Sequence, residues 1–81
     1  MSSDKKYKEI FIKSLNLKNS DFNESIKYND VPEWDSIGHM NLISALEDEF
    51  KISIDTDDVV EFSSFKEGIK ILKKYKVKFK N

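Results

Sequence analysis

Among the hydroxyl groups of this 81-residue chain, Ser36 has the setting that suggests chemistry. It stands in Trp34-Asp35-Ser36-Ile37, and beyond it Ile37, Met40, Ile43, Leu46 and Phe50 recur at helical spacing, with Leu42 and Ala45 widening the stripe. A long core helix is therefore predicted to begin at Ser36. A serine there can serve simply as a cap, because Asp and Ser oxygens accept the unpaired backbone N–H groups of a helix start. It can also be a point of covalent attachment. A hydrolytic serine fits poorly. There is no Gly-x-Ser-x-Gly elbow, and the lone histidine, His39, lies three residues along the same helix. No catalytic residue is expected, and a general-base role for His39 is not expected either.

The stretch resembles the acyl carrier protein family, which is marked by Asp-Ser-Leu/Ile at the start of its second helix followed by Ala-Leu-Glu-[Asp/Glu]-Glu-Phe. The matching residues are Asp35, Ser36 and Ile37, then Ala45, Leu46, Glu47, Asp48, Glu49 and Phe50. The resemblance continues through Ile52, Ser53 and Ile54 into the acidic run Asp55 to Glu61 and a last helix from about Phe65; residues 1 to 30 match in pattern more than in identity. It implies that Ser36 accepts 4′-phosphopantetheine from coenzyme A, that Asp35 assists recognition by the transferase, and that acyl groups ride on the distal thiol. It thus implies a carrier and not an enzyme. A helix N-terminus, with free N–H donors and partial positive charge, suits a phosphodiester. The chain has no cysteine, so a thioester requires an imported thiol.

Composition agrees with a single small domain over residues 1–81, with 38% hydrophobic residues. No metal site is expected from one histidine and no cysteine. The amino-terminal residues lack an apolar signal region and no apolar run approaches the roughly 20 residues of a membrane span, so a cytoplasmic protein is expected, and a monomer is expected as well. The net charge of −1 conceals segregation. Residues 35 to 62 carry eight acids against Lys51, a net of −7, whereas residues 63 to 81 carry seven lysines against Glu67, a net of +6. The acidic middle reads as a docking surface for basic enzyme faces. Its members are Glu47, Asp48, Asp55, Asp57 and Asp58, with Ile37, Met40 and Ile54 giving apolar contact. The expected partners are a phosphopantetheinyl transferase and acyl-handling synthases, acyltransferases or ligases. Residues 70 to 80 supply six lysines interleaved with Tyr75 and Phe79, a composition some single-strand binders share, but the acidic middle opposes nucleic-acid binding and none is expected.

The elements that must position Ser36 read as an all-α fold, a small four-helix bundle of three main helices and one short one. The first is predicted over Asp4 to Leu15, with Tyr7, Ile10, Phe11 and Leu15 on one face. A loop of about twenty residues follows, long for a small domain. Phe22, Ile26, Tyr28, Val31 and Trp34 should pin it to the core, and Pro32 forbids a helix through its end. Ile52-Ser53-Ile54 reads as a connector, Thr56 to Phe62 as a short helix capped by Asp55 or Thr56, and Ser64-Phe65-Lys66-Glu67 as a capping box. Phe65, Ile69, Leu72 and Tyr75 or Ile71 should face inward, and residues 76–81 should fray as a basic tail. The predicted core is Leu42, Ile43, Leu46, Phe50, Ile54, Phe62, Ile69 and Leu72. Trp34 is expected to anchor the long loop.

Departures from the housekeeping carriers of fatty acid synthesis lie at Trp34, Gly38, Asn41 and Ser44 and in the basic tail. They suggest a stand-alone carrier of a specialised lipid, polyketide-like, aminoacyl or sugar-acylation route, with a housekeeping or an aminoacyl/peptidyl carrier as the alternatives.

Overall fold

Each helix boundary follows from how the chain satisfies its backbone at the ends. The computed structural model describes residues 3–79. Among them, four α-helices succeed one another: α1 (Asp4–Ser14), α2 (Ser36–Phe50), α3 (Thr56–Glu61) and α4 (Phe65–Lys74), and no strand is present. A 3-10 turn at Asn19–Asp21 interrupts the long first loop. At the start of α4 the Ser64 hydroxyl accepts the Glu67 N–H at 3.0 Å, as the capping-box pattern predicts. At α3 the residue before the helix is Asp55, but its side chain makes no capping bond.

The far ends of α1, α2 and α4 share one geometry that the sequence reading did not foresee. The chain turns left-handed at Asn16 (φ 54°), Lys51 (φ 55°) and Lys76 (φ 70°). The next residue's N–H then reaches back to a carbonyl of the last turn: Leu17 to Ile12 at 2.9 Å, Ile52 to Glu47 at 3.1 Å and Val77 to Leu72 at 3.1 Å. This is the Schellman closure, and in each case the residue after the turn is aliphatic and packs on the core. The expected fraying from Lys76 is corrected accordingly. Val77 is buried, Phe79 packs edge-on to Tyr7, and the Lys78 carbonyl accepts the Ser3 N–H at 2.9 Å. Lys80 and Asn81 lie outside the described residues.

Tyr7 and Phe11 bring α1 onto the core, and α1 packs on α2. Six of the eight predicted core residues are buried: Leu42, Ile43, Leu46, Ile54, Phe62 and Leu72. Phe50 and Ile69 are only partly so. On α4 the buried line runs Phe65, Gly68, Ile71 and Leu72, steps of three to four residues that leave Ile69 about a quarter-turn round the helix. Gly68 sets that orientation. A Cβ there would run into the Tyr7 hydroxyl and the Phe62 ring, so only glycine lets α4 settle this close. The Tyr7 hydroxyl donates to the Phe65 carbonyl at 2.7 Å, and burial pushes the phenol's pKa well above its ordinary value.

The long loop is pinned as expected. Leu17, Ile26 and Trp34 are buried, and Trp34 meets Phe11 edge-on at 4.9 Å. Its backbone is also tied to the approach of α4. The Tyr28 N–H donates to Ser63 O at 2.9 Å and the Phe65 N–H to Ile26 O at 3.0 Å. This tie carries Tyr28 to the front of α2, next to Ser36.

Candidate functional site

Ser36 is the first residue of α2, and the cap before it is Asp35. The Asp35 carboxylate accepts the Gly38 N–H at 2.8 Å, so the capping bond does not involve the serine. The Ser36 side chain is exposed, its Oγ lying 3.3 Å from the Tyr28 hydroxyl. Gly38 is buried in the same first turn. A Cβ there would strike the Glu33 carbonyl and come within 3.1 Å of a Leu15 methyl. Glycine at this position is therefore a packing requirement and not a lost recognition charge.

Beside Ser36 opens a cleft of about 310 Å³. Tyr28 and Ser63 border it on the loop side, Met40 on α2, and Val59 and Val60 on α3, with Phe62 beneath. Behind Ser36, the His39 ring joins three elements. Its Nδ1 accepts the Trp34 indole N–H at 2.9 Å and its Nε2 lies 2.8 Å from the Val59 carbonyl. With Nδ1 accepting, the proton must sit on Nε2 and be donated to Val59. Both ring nitrogens are thus engaged away from Ser36, which leaves His39 no role as its base. Trp34 is fully buried and acts as the anchor the sequence suggested.

α3 is only six residues long, and side-chain ties hold it in place. Asp58 receives Lys74 Nζ at 2.7 Å and the Tyr75 hydroxyl at 2.6 Å, while the Tyr75 oxygen accepts the Asp55 N–H at 2.9 Å. Glu47 of α2 accepts the Ile54 N–H at 2.8 Å. Hydrogen bonds from Lys74 and then Tyr75 hold the Asp58 carboxyl below its usual range, and the Asp58 bond raises the Lys74 ammonium. A carboxylate with a depressed folded-state pKa stabilises the fold fully above its unfolded value, about 3.9, and loses that contribution as pH falls through the folded one. Asp58→Asn is therefore expected to melt below the parent at neutral pH, with the gap narrowing as the pH falls below about 4. Thermal melts across that range test this; a gap that stays constant would show that the pair adds nothing.

Several expected docking residues are placed elsewhere. Asp58 is buried in its pair with α4, Ile54 is in the core, and Glu47 is half-buried on the Ile54 N–H. The surface instead presents Asp48, Asp55 and Asp57, with Ile37 and Met40 exposed at 73% and 55%. Val60, 76% exposed, completes this apolar face and was missed. The signal for it was the Val59-Val60 pair, since adjacent residues point about 100° apart and a helix of six residues packed on one side leaves one of the two turned outward. Tyr28 was read as a loop anchor, but it is 36% exposed at the cleft.

No helix among the described residues is long and apolar enough to cross a membrane. An exposed primary hydroxyl on the first residue of a capped helix, at its positive end and with a cleft alongside, fits an attached phosphodiester. Compared with known proteins, the chain matches the family model described as the phosphopantetheine attachment site over residues 8–70. No curated protein and no solved structure matches it. The family match spans most of the chain and agrees with the helical fold, so the protein belongs to the phosphopantetheine attachment site family, whose members carry 4′-phosphopantetheine covalently.

Proposed function

We propose that this phosphopantetheine carrier bears its arm on Ser36 and presents acyl groups as thioesters to partner enzymes. The observation that carries the proposal is the division of labour at the start of α2: Asp35 caps the helix while the neighbouring hydroxyl stays exposed over a cleft. The arm, when attached, supplies the thiol that a chain without cysteine lacks. The protein's own part is to hold Ser36 outward, to offer free amides at the phosphodiester, and to give partners a recognisable face. The direct test is incubation with coenzyme A, magnesium and a promiscuous phosphopantetheinyl transferase. One added group, mapped to the peptide containing Ser36, is expected; addition elsewhere, or none with several transferases, overturns the assignment.

The partner surface comprises the exposed apolar residues Ile37, Met40 and Val60 and the exposed carboxylates Asp35, Asp48, Asp55 and Asp57. Charges at the rim of such a face act mainly on encounter rate, and salt screens them. Asp48→Lys combined with Asp57→Lys is expected to slow modification by roughly tenfold at low ionic strength, with the effect fading in salt and the circular dichroism unchanged. These two carboxylates serve better than Glu47, whose reversal would also break the bond to Ile54. An unchanged rate at low salt would return them to ordinary solvated positions.

A specialised pathway is the favoured setting. Asn41 and Ser44 are both exposed on α2 and carry no charge, and the lysines of the tail add a cationic region. Gly38 and Trp34 no longer support this setting, since both are explained by packing. Intact mass of the protein from its native cells tests the setting directly. A ladder of long saturated acyl chains would contradict it.

A further inference from the structure

With the arm on Ser36 as proposed above, we infer that the acyl cargo is held outside the bundle, and that the hydrogen-bonded strut from Trp34 through His39 to Val59 keeps long alkyl chains out. From Ser36 the cleft leads inward between Met40 of α2 and Val59 and Val60 of α3. Its floor is Phe62, 1% exposed and part of the same core as the fully buried Leu42, Leu46 and Leu72. The His39 ring lines this cleft and ties α2 to its neighbours, held by the indole N–H on one side and by the α3 carbonyl on the other.

A long chain could pass only by displacing His39 or by parting α3 from α2. Either movement breaks the bonds that His39 makes to the indole N–H of the fully buried Trp34 and to the Val59 carbonyl, in a structure where no described buried side-chain N or O lacks a partner. Parting the helices also strains the bonds from Asp58 to Lys74 and Tyr75 and from Glu47 to Ile54. The strut is polar and directional, so it resists in a way that a purely apolar filling would not. Its members are also wedged by rings: Trp34 lies parallel to His39 at 6.1 Å, and Phe62 meets His39 edge-on at 5.7 Å. The space left outside is the cleft itself, about 310 Å³.

The test loads the protein from acetyl-, octanoyl- and dodecanoyl-coenzyme A with a promiscuous transferase, confirms each product by intact mass, and measures two properties. One is the melting temperature. The other is the ¹⁵N–¹H signal of the Trp34 indole, unique because the chain has one tryptophan. The three loaded forms should melt within about 2 °C of one another, with the indole signal unmoved. Melting that rises with chain length, accompanied by a displaced indole signal, overturns the exclusion. In His39→Ala the strut is cut, and dodecanoyl loading should then raise the melting temperature where acetyl loading does not; a folded variant showing no such dependence removes the strut from the explanation. Should that variant fail to fold, the wild-type series alone decides. Failure of the wild type to gain mass is a separate result, since it removes the attachment at Ser36 and the cargo inference with it.

Discussion

Ser36→Ala is expected to yield a protein that folds and melts like its parent and takes up no phosphopantetheine. The two halves of that result have separate physical origins. Stability is retained because the capping bond belongs to Asp35, the Ser36 side chain is exposed, and alanine is a good residue for the first turn of a helix. Loading is lost because the variant lacks the primary hydroxyl on which the phosphodiester is proposed to form. Asp35 gives the complementary pair of variants. Asp35→Ala removes the cap, at a cost of about 0.5–2 kcal/mol, whereas Asp35→Asn keeps a capping oxygen and removes only the charge. If loading slows in the Asn variant while its melting temperature holds, the carboxylate is read by the transferase as a charge. Intact mass spectrometry and thermal melts of the three variants are sufficient. Continued modification of Ser36→Ala would move the site to another hydroxyl.

Leu46→Ala is expected to cost about 2–5 kcal/mol, a large fraction of the 5–15 kcal/mol that holds a typical domain together. Leu46 is fully buried, on the face of α2 that carries Leu42 and Ile43. Met40→Ala, on the same helix but 55% exposed, should stay within about 0.5 kcal/mol. Denaturant titration of the pair checks the orientation of α2 without reference to function. Equal losses at both positions would mean that the buried face is wrongly placed.

The long helix, its starting residue and most of its buried face were legible because each depends on local pattern. An apolar stripe at helical spacing and an acid before a serine need no tertiary knowledge. The buried state of Asp58 was not legible. Within an acidic run it looks like any solvated carboxylate, and only the docking of α4 brings Lys74 and Tyr75 to it from 16 and 17 residues away. His39 was hidden for the same reason, since its partners come from the loop and from α3. Ile69 and Ile71 were a local ambiguity, and Gly68, through what it leaves open for Tyr7 and Phe62, decided between them. The helix ends escaped notice because the usual marker, a glycine just past the last turn, is absent from all three.

Those ends also bear on how the molecule could tolerate change. Both of its glycines, Gly38 and Gly68, lie inside helices, where a neighbour comes too near for a side chain. The left-handed turns that glycine would ease are made instead by an asparagine and two lysines. Lys51 and Lys76 in particular hold a conformation that disfavours a Cβ by about 1 kcal/mol each. Neither lines the cleft beside Ser36. The protein thus keeps an undrawn reserve of heat resistance at positions that carry none of its chemistry, and a hardier version of this carrier is accessible without redesigning what its partners recognise.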